Sequence, residues 1–242
     1  MDARLYLSLD DAITWRGLRD AGGPEPVALA VLAELAGVDG IVVSLREGPR
    51  ALRPRDLVLL RQSVTTRLSL DIPPTADIVS AAFDIRPDRV TLVPEHRDGP
   101  VGGLDVHVLK DALKKHIGHL HDADVEVGVR IEPALEQVKA LHRLDVKAAV
   151  LTTGRFAAAR GMERRQELAR LVDAAALAQR LGLTVALSGG LGLATIETLL
   201  GAARFNEVHV GHACLARAML KGLEGAIADF LAAMDRGQRR LA

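Results

Sequence analysis

Short apolar runs alternate with longer amphipathic stretches along the whole chain. The runs are apolar almost throughout, as strands buried on both faces are. They predict strands at residues 4–9, 40–44, 67–71, 89–93, 125–131, 148–152, 183–187 and 207–210. Between them the spacing turns helical. Residues 26–36 carry Val27, Ala30, Val31 and Leu35 on one side, with Gly37 following as the helix-ending residue. Pro54 opens the next helix, with Leu57, Leu60 and Val64 as its inner face. Helices are further predicted at 75–83, 104–119, 133–144, 163–181 and 194–203. In the 163–181 helix, Leu168, Leu171, Val172 and Ala175 face inward. The last helix begins at His212 and aligns Leu215, Met219, Leu223, Ile227, Phe230 and Met234 on one stripe.

Eight strand–helix pairs in strict alternation predict a parallel sheet. Eight such units in 242 residues predict an α/β chain closed as a single (β/α)8 TIM barrel spanning residues 1–242. An open doubly wound sheet is the competing arrangement. It wants a glycine fingerprint after the first strand, where this chain reads Ser8-Leu9-Asp10-Asp11.

Composition narrows the picture. Hydrophobic residues make up 49% and aromatics 2%, so the core must be aliphatic and alanine-rich. Lys+Arg and Asp+Glu both number 31, and a chain with no net charge has no global field for nucleic acid. The single cysteine, Cys214, allows no internal disulfide and fits a reducing compartment. Its place in the first turn of the last helix reads as a buried small hydrophobe rather than a nucleophile. Asp2, Arg4 and Asp10 interrupt any signal-peptide core, and no apolar run reaches the ~20 residues a bilayer span needs. A cytoplasmic protein with no membrane or nucleic-acid partner is expected.

Barrel enzymes place their chemistry at the C-terminal strand ends. The polar residues there are Ser8, Asp10, Asp11, Ser44, Arg46, Asp71, Glu95, His96, Arg130, Glu132, Thr152, Thr153, Ser188 and His212. Gly189-Gly190 and Gly211-His212 follow strands seven and eight, the usual phosphate loops of such barrels. Glycine lets backbone approach an anion, and a helix N-terminus presents free N–H groups to it. Arg46 and Arg19 are the cations best placed to assist, and Asp10 and Asp71 are candidate acids or bases. Arg130 and Glu132 share a parity on strand five and are expected to pair. His116, His119 and His121 read as a solvated helix end rather than a metal site. No metal and no cofactor are expected.

Several stretches together resemble the pyridoxine 5′-phosphate synthase family: Ala36-Gly37-Val38-Asp39-Gly40-Ile41, Leu45-Arg46-Glu47, Leu92-Val93-Pro94-Glu95, Gly102-Gly103-Leu104-Asp105-Val106, Thr153-Gly154 and Gly211-His212-Ala213. The resemblance runs in register from about Leu7 to Ile227. It implies extra helices on the barrel and a homo-oligomer, from dimer to octamer. It also implies phosphate-ester ligands for a condensation of 3-amino-2-oxopropyl phosphate with 1-deoxyxylulose 5-phosphate. Ser8, Asp10, Arg19, Arg46, Gly189, Gly190, Gly211 and His212 would then hold the ligand or its phosphate.

The chemistry positions depart from that pattern. The resemblance implies a general-base histidine where Ser44 stands and a glutamate where Asp71 stands. It implies a glutamate at Val150 and a histidine at Gly189. Its first loop, Asn-x-Asp-His, reads Ser8-Leu9-Asp10-Asp11, and Arg130 replaces a usually apolar residue. Serine, valine and glycine do not titrate near neutrality, and each positioned acid or base contributes roughly 10²–10⁴-fold. Three readings follow: a synthase-type enzyme with altered chemistry, an inactive homologue recruited as a sensor, scaffold or protein partner, and a barrel with aldolase- or isomerase-like chemistry. The third wants a lysine at a strand end, and there is none among those residues.

Overall fold

The computed structural model describes residues 2–18, 23–46, 48, 51–95 and 102–241. Its strands are β1 Arg4–Ser8, β2 Gly40–Ser44, β3 Arg67–Ile72, β4 Arg89–Leu92, β5 Glu126–Ile131, β6 Ala148–Thr152, β7 Thr184–Ser188 and β8 Glu207–Val210. The helices between and after them are α1 Asp10–Arg16, α2 Pro26–Leu35, α3 Pro54–Ser63, α4 Ala76–Ile85 and α5 Lys110–His121, then α6 Leu135–His142, α7 Gly154–Ala158, α8 Gly161–Arg180, α9 Leu193–Leu200 and α10 His212–Leu241. The strands follow one another around a closed parallel barrel, and β8 returns to β1 through Arg4↔Glu207 and Leu7↔Val210. This is the (β/α)8 TIM barrel, and the alternative of an open sheet is excluded by closure.

The strand parity divides two environments. Leu5 and Leu7, Ile41 and Val43, and Leu68 and Leu70 belong to the aliphatic cluster between strands and helices. Burying each such side chain contributes roughly 1.5–3 kcal/mol. The opposite parity lines the barrel axis and is largely polar: Arg89, Glu207, Ser69, Thr91 and His209 are all buried. At the N-terminal end Arg89 bridges Glu126 (2.7 Å from Nε) and Glu207 (2.5 Å), while Arg4 reaches Glu207 and Arg67 reaches Glu126, each at 2.7 Å. A Cβ on Gly40 would overlap the Tyr6 ring, so a glycine makes room for the one tyrosine in this interior.

Three local expectations change. Residues 10–16, read as loop, form α1, with Asp10 and Asp11 in its first turn where the helix dipole favours acids. The helix expected from 104 begins at Lys110 instead. Asp105 Oδ1 accepts from the N–H groups of His107 (3.0 Å) and Val108 (3.3 Å), a local turn that competes with helix. Gly103 also crosses so close to the Ile131–Glu132 backbone that a Cβ there would overlap it.

The stripe on the last helix is broken. Gly222 (φ 75°, ψ 162°) interrupts α10. Leu215 is buried before it and Ile227, Phe230 and Met234 after it, but Met219 is 75% exposed. Met219 leaves the stripe within the first segment, and Gly222 sets the phase of the second apart. Among the described residues, no helix is long and apolar enough to cross a membrane.

Candidate functional site

A cavity of about 440 Å³ opens at the C-terminal strand ends. That size suits a small metabolite. The first helix, the last helix and the loops after β7 and β8 build its walls. Ser8, Asp10, Asp71, Gly189, Gly190, Gly211 and His212 all line it, so seven separately predicted positions converge.

The β7 and β8 loops are shaped by backbone. Gly189 (φ 107°) and Gly190 (φ 68°) are both left-handed, a conformation that favours glycine. A Cβ on Gly190 would also sit 3.0 Å from that of Ala157. The Thr153 hydroxyl donates to the Gly189 carbonyl, and its N–H donates to Ser188 O at 2.9 Å, tying the β6 and β7 loops together. Gly211 runs beside Ser8, where a Cβ would lie 3.3 Å from the serine Cβ. Its carbonyl accepts from the N–H groups of Cys214 and Leu215. The N–H groups before them belong to the open first turn of α10, the geometry that receives an anion.

Next to the β8 loop, where β1 and β2 end, Asp10 is held by Ser44. Ser44 donates its N–H to Oδ1 at 2.7 Å and its hydroxyl to Oδ2 at 2.5 Å. Ser44 is therefore a donor that positions Asp10. Arg46 approaches the same carboxylate at 3.4 Å. Burial raises the Asp10 carboxyl above its ordinary range. The Ser44 hydrogen bonds and Arg46 pull it back, while the Asp71 carboxylate adds to the rise. Asp71 itself is buried and pairs with Arg130, and among the described residues its Oδ1 and the Arg130 Nε have no hydrogen-bond partner. The expected Arg130–Glu132 pair is not formed. Successive same-parity residues diverge at the strand end: Arg130 turns across β4 to Asp71, and Glu132 accepts from Gly103 N at 3.2 Å.

His212 stands at the rim, its side chain 79% exposed, with Nδ1 3.5 Å from Asp11. Arg19 and His96 lie outside the described residues. Among the described residues no group of three or more His, Cys, Asp or Glu is arranged to hold a metal. His119 stacks on Phe83 at 4.7 Å. Cys214 is fully buried, and burial pushes its thiol up to about 11.

One polar lining residue, His209, is not among the positions the sequence predicts. Parity could have found it, because Glu207, His209 and Gly211 alternate onto the same side of the last strand.

The family profile described as "Pyridoxal phosphate biosynthesis protein PdxJ" matches residues 5–236. The pyridoxine 5′-phosphate synthase of Syntrophobacter fumaroxidans is 40% identical over 236 residues, covering 96% of this chain and 99% of that protein. That of a Synechococcus strain, RCC307, is 41% identical, covering 93% and 90%. The chain belongs to the PdxJ family. Among solved structures, KGPDC from Streptococcus mutans superposes with a TM-score of 0.67 at 14% identity, covering 98% of this chain and 99% of that one. TrpF from Jonesia denitrificans gives 0.60 at 18%, covering 99% and 100%. At such identities these two share the barrel fold alone.

Membership in the PdxJ family makes the interior of β6 informative. Val150 is fully buried and shares the parity of Ala148. Ala148 faces Gly128 and Thr91 inside the barrel. In register, Val150 pairs with Arg130. A strand position that the resemblance fills with an acid is thus a valine, and the neighbouring strand presents an arginine that has taken Asp71 as its counter-ion.

Proposed function

We propose that this PdxJ-family barrel binds a phosphorylated small metabolite at its C-terminal face, and that the family condensation is altered. The observation that carries the reading is the convergence of two kinds of position on one cavity. The paired left-handed glycines 189–190 and the open first turn of α10 form a phosphate cradle on one side. On the other, Ser44 and Asp71 are committed to Asp10 and Arg130 rather than left as free acids or bases. Arg46 and Arg130 supply positive charge near the mouth and floor.

Calorimetric titration with inorganic phosphate and with 1-deoxyxylulose 5-phosphate tests the binding half. Binding that is lost on Gly190→Val supports it; no heat with either ligand and no density at the β7 and β8 loops in soaked crystals would sink it. A steady-state assay with the two family substrates tests the chemical half. Turnover below about a hundredth of a relative's rate is expected, since one missing acid or base costs roughly 10²–10⁴-fold. A rate equal to that of the Syntrophobacter synthase overturns it.

The inactive-homologue reading is favoured by the replaced positions Ser44, Val150 and Gly189. Binding without any turnover is its outcome in the same pair of experiments. A homo-oligomer, from dimer to octamer, is part of the proposal by family resemblance.

A further inference from the structure

The pocket floor holds a group that the replaced positions do not account for. His209 is buried at the base of the cavity, only 5% exposed, yet lines it. Its Nε2 lies 3.1 Å from Glu207 Oε2, and its ring is 4.8 Å from that of Tyr6. Glu207 is fully buried and ionised. Burial alone would raise its carboxyl, but hydrogen bonds from His209 and Arg89 and the charge of the Arg89 guanidinium hold it well below the usual range. An ionised carboxylate accepts, so Nε2 carries the hydrogen. In the neutral ring Nδ1 is then the lone-pair nitrogen, and no hydrogen bond reaches it among the described residues. A carboxylate behind an imidazole fixes its tautomer and stabilises the imidazolium that forms when the far nitrogen takes a proton.

The other titratable groups of the cavity are occupied or misplaced. Both Asp10 oxygens are engaged by Ser44, one Asp71 oxygen by Arg130, and His212 stands out in solvent beside Asp11. We propose that His209, oriented by Glu207, is the proton-exchanging group of the pocket, taking a proton from carbon next to a carbonyl in a bound phosphorylated ketone. The inference rests on the phosphate-ester reading above. In the step, the C–H bond breaks and its electron pair becomes the enolate. The proton moves to Nδ1, which becomes the imidazolium N–H. Return of a proton or deuteron from that nitrogen restores the ketone, so nothing is oxidised or reduced. Arg130, the guanidinium among the described lining residues, supplies positive charge for the enolate oxygen.

The test is deuterium wash-in, read by proton NMR, at the carbons beside the carbonyl of 1-deoxyxylulose 5-phosphate in D2O, with affinity measured separately by calorimetry. Wild type and His209→Gln are compared between pH 5.5 and 8.5. Glutamine can still donate to Glu207 but accepts no proton. The ring's charged and titratable surroundings are Tyr6 on β1, Arg67 and Asp71 on β3, Arg89 on β4, Glu126 and Arg130 on β5, and Glu207 on β8. Asp10 and Asp11 of α1 and His212 of α10 stand above it, while Val42, Val150 and Ser188 on the remaining strands carry no charge. Burial lifts the Tyr6 hydroxyl to about 12, so it contributes nothing within that range.

Exchange by wild type that falls on acidification, and a loss of roughly 100-fold or more in His209→Gln with affinity within about threefold, supports the inference. Equal exchange in the two proteins overturns it. So does a wild type that binds the probe without exchanging it, which leaves the binding reading intact; failure to bind removes both. If His209→Gln does not fold, the imidazole ¹⁵N spectrum of wild type decides: a Nδ1 resonance unmoved by saturating probe overturns the assignment.

Discussion

Ser44 donates both its N–H and its hydroxyl to the carboxylate of Asp10, so the end of β2 and the start of α1 are locked together at the cavity mouth. The residue that family resemblance would make a histidine is here a clamp on the neighbouring acid. Ser44→Ala removes one of the two bonds and is expected to cost about 0.5–1.5 kcal/mol in denaturant unfolding, with phosphate affinity reduced as Asp10 loosens.

Ser44→His alone is expected to yield no synthase activity. The imidazole enters a position already closed around Asp10, and Val150 still has no proton to move. Adding Gly189→His does not rescue it cheaply, because φ 107° strains any side chain there by roughly 1–3 kcal/mol. Product above background from the single variant, measured with both family substrates, refutes this.

Asp10 predicts a pH effect on stability. Its folded carboxyl is raised above the ordinary range, chiefly by burial. Proton binding therefore favours the folded state: the contribution is complete below the unfolded value of about 3.9 and is lost as pH rises through the raised one. Asp10→Asn should melt higher than wild type at pH 7–8, and the gap should close as pH falls toward 4. A gap independent of pH contradicts the assignment.

Glu207 predicts the opposite dependence. Its carboxyl is depressed, so its stabilisation is present above the unfolded value of about 4.3 and is lost as pH falls toward the folded one. Glu207→Gln leaves Arg89 buried with one counter-ion fewer, at an expected cost of about 3–5 kcal/mol near neutrality. The difference between the two proteins should shrink below pH 4 in urea titrations.

Cys214 is expected to resist thiol reagents. With the thiol fully buried and lifted to about 11, little thiolate exists at pH 8 and none is accessible. Labelling should run roughly 100-fold or more slower in the native protein than in urea. Fast native labelling would show that the first turn of α10 opens.

The barrel was legible because each strand carries one continuous set of aliphatic residues toward the helices, and Leu5, Leu7, Leu68 and Leu70 dominate the pattern. The convergence of Gly190, Gly211 and Asp10 was also legible, since strand-end position alone brings them together. The partners of the inward parity were not. Arg4, Arg67, Arg89, Glu126 and Glu207 sit at strand starts, where sequence reads them as solvated boundaries. Only closure of the sheet brings β8 against β1 and shows them facing one another. Sequence proximity pairs Arg130 with Glu132, although its partner is Asp71, two strands away across β4. The α10 stripe is not legible as one line, because helical period assumes an unbroken axis that Gly222 breaks, and Met219, before the break, already faces solvent. His209 was missed because two apolar neighbours make its strand look like simple core.

The ion cluster of Arg4, Arg67, Arg89, Glu126 and Glu207 also limits how this chain can change. Where a barrel axis is filled with methyl groups, one hydrocarbon can replace another in single steps, each nearly neutral. Here a lone replacement strands a charge, so a viable path must alter two or more of five positions contributed by five different strands at nearly the same time. The upper end of the same barrel, with its serines, glycines and valines, carries that requirement only at the Asp71–Arg130 pair among the described residues. Single substitutions are thus easier to accommodate at most rim positions than at the base.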